Sequence, residues 1–227
     1  RHQKRRAAAA KTGVKPITEF SSSQCNHISV AMKAEYDECQ PQVETLQTKW
    51  DRVFDKESEP LTTMNSPPVK IELIDGAVPY SVRAARPIPF AERDEVKACL
   101  DAMLRRGIIR KLGDEASEWS SSLHYVRKKK GTLRLVNDFR GVNSQIKRPV
   151  YPSPTPRSAV SNIPSDAKWF SVTDMASGYW QVELDEDSQL LTTFVTPWGR
   201  FVYTRTTMGL SLAGDTFNQR NNDAFKE

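Results

Sequence analysis

The chain is poor in the residues that staple, metallate or anchor a protein. Three cysteines, Cys25, Cys39 and Cys99, stand among 227 residues. None forms a C-x-x-C pair, and no zinc-type spacing follows the nearby Cys25 and His27. A disulfide framework and a structural zinc site are therefore excluded, and the three read as free thiols of a reducing compartment. No apolar run approaches the ~20 residues that span a bilayer. The basic N-terminus lacks the apolar stretch of a secretory signal. The reading is an intracellular chain, in a cytoplasmic particle or the nucleus, with no membrane partner. There is no internal repeat.

What the chain has is uneven positive charge. The net value is only +5, so its distribution matters more than its sum. Arg1, Lys4, Arg5, Arg6, Lys11 and Lys15 have no acid among them and read as a tail. A second concentration runs from Arg127 through Lys128, Lys129, Lys130, Arg134, Arg140 and Lys147 to Arg148, with Asp138 its one acid. Here the bases alternate with apolar residues, as on folded strands, where they are placed to meet phosphates.

Residues 1–67 read as a linker-like extension, with a helix expected at 36–55 from the spacing of Val43, Leu46, Trp50 and Phe54. Val69 to Leu73 alternate and suggest an edge strand. Residues 91–106 carry the clearest helical pattern, with acids first, Arg105 and Arg106 last, and Gly107 as the stop. Short strands are expected at 108–112, 121–128 and 132–137, with Gly131 closing a hairpin. After a proline-rich link come a short helix near 156–162, a buried strand from Lys168 to Met175, and strands at 181–184 and 190–195. A turn at Pro197 to Gly199, a return strand at 200–205 and a helix from 212 complete the pattern. Strands mixed with helices without strict alternation give an α+β class.

Three stretches carry the chemistry. In Lys168-Trp169-Phe170-Ser171-Val172-Thr173-Asp174, an apolar run ends in a carboxylate, followed by small residues and then Tyr179-Trp180-Gln181-Val182. A carboxylate at a strand end facing a cleft suits a hard divalent cation. On its own it reads first as a turn-capping Asp. The other two stretches are the lysine-rich hairpin leading to Asp138-Phe139-Arg140-Gly141-Val142-Asn143, and Thr206-Thr207-Met208-Gly209-Leu210 leading into a helix.

Taken in chain order, the hairpin with Asp138 to Asn143 first, then the stretch through Asp174, then Thr192-x-Phe194-x-Thr196-Pro197-x-Gly199, then the Gly209 segment, these stretches resemble the reverse transcriptase of gypsy-type long-terminal-repeat retrotransposons. The similarity runs from about Val69 to Phe225. It implies a right-hand polymerase fold, with fingers over about 88–165 and a partial palm over about 166–227. It also implies roles. Asp174 falls on the first catalytic aspartate, and the Met175 carbonyl on a metal-shell position, for two Mg²⁺ ions. Lys129 and Arg134 fall on the triphosphate grip. Tyr179 falls on the aromatic that blocks a 2′-hydroxyl. Met208 and Gly209 fall on the step that opens the nucleotide pocket, and Arg140 and Asn143 on the template side. Asp138 reads as structural, paired with a nearby Arg.

The implied partners are an RNA or DNA template with primer, a dNTP, and the rest of a Pol polyprotein: palm, thumb, RNase H and integrase. The chain departs from the family at Met208 and Gly214, and no Y-x-D-D sequence occurs in its 227 residues. One carboxylate does not hold two octahedral ions. The expectation is a piece of a longer reading frame that does not polymerise alone. The rival readings are a domesticated remnant that binds nucleic acid without chemistry, and a remnant whose N-terminal helix docks a partner protein.

Overall fold

The computed structural model describes residues 41, 45, 48, 49, 60–128, 131–167 and 174–225. The chain divides into two units, Arg1–Asp55 and Lys56–Glu227. In the first unit the four described residues are helical, and Thr45 Oγ1 donates to the Pro41 carbonyl at 2.7 Å. The rest of the helix expected at 36–55 lies outside the described residues.

The second unit is α+β. Helix α1, Phe90–Arg105, buries Val96, Leu100 and Met103 along one stripe. Glu92 sits at its positive end and Arg105 at its negative end, as the dipole favours. Gly107 ends it with φ +65°. The Gly107 amide donates to Leu104 and the Ile108 amide to Met103, the paired bonds of a Schellman stop.

Strands β1 (Ile109–Lys111), β2 (Ser121–Arg127), β3 (Leu133–Asn137), β4 (Phe194–Thr196) and β5 (Gly199–Tyr203) form one sheet in the order β1-β5-β4-β2-β3. The β2–β4 pairing is parallel, with Ser121 opposite Phe194; the other three pairings are antiparallel. α1 packs on β3 and β1. The core centres on aromatics: the Phe194 ring stacks on Phe201 at 5.8 Å and lies 5.4 Å from Tyr203. Tyr203 is fully buried and donates its hydroxyl to Asn137 Oδ1 at 2.9 Å. Burial pushes this phenol up to about 12.

Three expectations change. The strand expected at 190–195 starts later: Leu190 and Leu191 end a helix, Glu186–Leu191, which Asp185 caps by accepting from the Ser188 amide at 2.9 Å and whose first turn Glu186 and Asp187 fill, while Phe194 and Val195 lie in β4 as expected. Residues 181–184 form no strand: Gly178–Gln181 make a 3₁₀ turn, and Glu183 and Leu184 contribute single bridges. Val69 to Leu73 alternate in burial as expected, yet bridge only at Val69 and Leu73. The amide between them, on Ile71, donates to the Ser188 hydroxyl at 2.7 Å, which diverts the ladder. Most of the strand expected at Lys168–Met175 lies outside the described residues, and Asp174 and Met175 lie in irregular chain.

The remaining helices are α2 (Arg140–Asn143), α3 (Pro156–Ser161), α4 (Glu186–Leu191) and α5 (Ala213–Ala224).

Candidate active site

The β2–β3 hairpin sets the first edge of the site. Arg134 pairs across from Val126 and stays exposed. Its Nη1 reaches Met208 Sδ at 3.7 Å. Neighbouring Arg127 points elsewhere: it bonds Glu95 at 2.9 Å, Glu92 at 3.3 Å and the Gly131 carbonyl at 2.8 Å. Its charge is thus spent holding the hairpin to α1. Lys129 lies outside the described residues.

The second edge is the loop that carries Met208 and Gly209. Gly209 has φ +96°, which an L side chain rarely adopts. A Cβ there would lie 3.5 Å from the Asn137 carbonyl, ordinary contact, so the backbone angle and not space selects glycine. Asn143 holds the loop at two points. Its Nδ2 donates to the Gly209 carbonyl at 2.7 Å, and its Oδ1 accepts from the Ser211 amide at 2.9 Å. α2 is thereby fastened to the Gly209 turn.

On the same short helix Arg140 projects into solvent. Its Nε and Nη2 fork onto Asp138 at 2.9 and 2.7 Å. The Arg140 guanidinium beside it holds the Asp138 carboxyl at about 2. Asp138 is therefore the structural partner expected of it. Arg140 has five N–H donors, and the fork uses two.

The third part is the turn after Asp174. Asp174 and Met175 are exposed. Ser177 adopts φ 57°, and the 3₁₀ turn brings Tyr179 edge-on to Phe217 of α5, with centroids 5.5 Å apart. A Cβ on Gly178 would lie 2.8 Å from the Phe217 ring, so only glycine lets the turn approach α5. Thr206 Oγ1 donates to the Tyr179 carbonyl, which ties this turn to the segment leading into Met208 and Gly209.

Donor chemistry fits one share of a hard divalent ion: an exposed carboxylate at 174, followed by a backbone carbonyl. Among the described residues no group of three or more His, Cys, Asp and Glu converges as a metal cage would require.

Residues 126–227 match the family described as reverse transcriptase (RNA-dependent DNA polymerase). This segment belongs to the reverse transcriptase family. The chain is similar to the retrovirus-related Pol polyprotein of transposon 412 of Drosophila melanogaster, at 30% identity over 81% of this chain and 15% of that protein. The polyprotein of the gypsy transposon of the same organism is also 30% identical, over 78% of this chain and 17% of that protein. The gypsy-type resemblance read in the sequence is thus borne out. The crystal structure of prototype foamy virus protease–reverse transcriptase superposes with a TM-score of 0.71 at 21% identity, over 82% of this chain and 24% of that one. That likeness shows the reverse transcriptase fold. The chain spans less than a quarter of each of these proteins.

Within the reverse transcriptase domain, the structure brings Arg134, Met208, Gly209 and Asn143 together, with Arg140 on the adjoining helix. Tyr179 joins them through Thr206. Sequence reasoning missed two contributors, Thr206 and Asp215, and placed Asn143 on the template side without its hold on the loop. Thr206 bears no local signal. Asn143 gave no sign that its amide would turn onto the loop. Asp215 had no role in the sequence reading. It is nearly buried and accepts from Arg148 Nε at 2.7 Å and the Tyr151 amide at 3.3 Å. That pair fastens the proline-rich link to α5.

Proposed function

We propose that this domain serves RNA-directed DNA synthesis within a longer Pol polyprotein. One observation carries the reading: the Asn143 clamp fixes Gly209 beside the hairpin whose Arg134 reaches Met208, so a cation and a backbone step converge on one place. Arg134, with Lys129, holds the triphosphate of a dNTP. Tyr179 limits the space beside its sugar. Met208 and Gly209 meet the base, and Arg140 meets the template strand. Asn143 acts on the template side by positioning the loop. Asp174 and the Met175 carbonyl contribute to a Mg²⁺ site. When bound, such ions lower the charge on an attacking 3′-oxygen and a leaving pyrophosphate.

The partner class is a primer annealed to RNA or DNA. Solved foamy viral protease–reverse transcriptases hold double-stranded DNA and an RNA/DNA hybrid. The rest of the palm, a thumb, an RNase H and an integrase complete the proposed polyprotein, which works inside the cell. Taken alone, the 227 residues bind and do not polymerise, since they contain no Y-x-D-D sequence. That behaviour is also what a domesticated nucleic-acid-binding remnant shows, and Asp174→Asn separates the two. In a chain extended through a Y-x-D-D hairpin, the substitution abolishes synthesis if the enzyme reading holds.

The direct test combines primer extension with anisotropy at stepped salt. The expected result is no extension by the 227-residue chain, with primer–template affinity that falls steeply as salt rises. Template-dependent extension by this chain overturns its inactivity. Absence of binding at low salt overturns the nucleic-acid reading.

A further inference from the structure

The strap that precedes α1 contains an aromatic that none of these roles uses. Tyr80 is 45% exposed, yet its ring is seated against the backbone of α2. A Cβ at Gly141 would run into Tyr80 Cγ and would sit 2.9 Å from Tyr80 Cβ, so position 141 has room for the ring and for no side chain. The strap is fixed on both sides of the tyrosine. Ser120 donates its amide to the Tyr80 carbonyl and accepts from the Val82 amide, each at 2.9 Å. The Val78 amide donates to Gln145 Oε1 at 3.1 Å. The tyrosine is thus held in place with part of its ring open to solvent.

Its surroundings select a ligand class. Arg140 is the next residue to Gly141 and faces solvent with donors to spare. Residues 78–89 carry Arg83 and Arg86 and no acid. An open aromatic surface beside cations is the arrangement that holds unpaired bases, with stacking on the ring and phosphates on the bases' backbone. An apolar protein partner gains nothing from the fixed, hydrated Arg140. The position fits as well. Gly141 and Asn143 lie two residues apart on α2, about 3 Å of rise, on the order of one base step. Asn143 in turn holds the Gly209 turn at the proposed nucleotide pocket.

We propose that Tyr80 is a stacking platform for an unpaired template base, one step ahead of the base being copied. The proposal rests on the polymerase reading and adds a residue outside the span matched to the family.

The test uses the whole 227-residue chain and two labelled probes. One is a blunt primer–template duplex. The other is the same duplex with a single-stranded 5′ template extension whose first unpaired base is 2-aminopurine. The wild-type chain is expected to prefer the extended probe and to quench the 2-aminopurine. Tyr80→Leu keeps apolar bulk against Gly141 but removes the aromatic face. It should lose roughly 5- to 100-fold in affinity for the extended probe and lose the quench, with blunt-duplex affinity and salt slope unchanged. Tyr80→Phe should behave as wild type. Wild-type affinity and quench in Tyr80→Leu would overturn the platform, and so would equal loss on both probes. Blunt-duplex binding by the wild-type chain without preference for the extension defeats this proposal alone. No binding to either probe defeats the polymerase reading with it.

Discussion

Arg148 donates its Nε to Asp215 Oδ2 at 2.7 Å, joining two segments 67 positions apart in the chain. The two sides differ in exposure: the Asp215 side chain is 10% exposed and that of Arg148 58%. Arg148 lowers the Asp215 pKa, and the Tyr151 amide assists. Removing the arginine leaves a nearly buried carboxylate with one neutral donor. Arg148→Ala should cost about 1–3 kcal/mol, less than a fully buried pair because the arginine itself is wet. Asp215→Asn placed in that background should recover part of the loss. Urea unfolding of the two single variants and the double variant measures the coupling. Strictly additive losses would mean that the pair does not interact.

Asp138 supplies a dependence on pH. Its folded pKa is about 2, against an ordinary 3.8, because Arg140 forks onto it. The folded state therefore favours the ionised form. The resulting stabilisation is complete above about pH 4 and is lost as pH falls from there through about 2. A carboxyl-carbon NMR titration should find Asp138 near the low value in wild type. In Arg140→Ala it should move back toward the ordinary range. An unmoved titration in the variant would assign the shift to something other than the fork.

Asn143 offers a local test of the loop. Asn143→Ala frees the Gly209 carbonyl and the Ser211 amide together. The expected loss is about 1–3 kcal/mol, set by how much water reaches the two groups. Amide exchange at Ser211 should accelerate well beyond any change at Leu100 in the core. Equal acceleration at both positions would indicate general unfolding instead of a loosened loop.

Much of the fold was legible because it is coded locally. α1 announces itself through the spacing of Val96, Leu100 and Met103, and its end through Gly107. The β2–β3 hairpin follows from alternation around Gly131, which has φ +83°. The segment at 186–191 was not legible as a helix because Leu190 and Leu191 read as the start of an apolar strand, while the deciding signal is one cap at Asp185. The strand expected at Val69 to Leu73 failed for a distant cause, a serine hydroxyl 117 positions away that takes the Ile71 amide. At the site, motif order marked Arg134, Met208, Gly209 and Tyr179. It could not reveal the Asn143 clamp or the Tyr80 seat, because those depend on contacts between segments that the spacing of either one does not record.

The parallel pairing of β2 with β4 has a consequence for how the chain reaches its native state. The β4–β5 hairpin is wedged between β1 and β2, although it is made long after both. Thr204 Oγ1 closes onto the Ile108 carbonyl 96 positions upstream. During synthesis, β1 and the β2–β3 hairpin must wait, edges unpaired, until the later hairpin emerges to join them. High sequence separation of this kind slows folding and leaves strand edges open to wrong partners. Truncation before residue 194 should therefore yield an aggregating product and not a smaller folded domain.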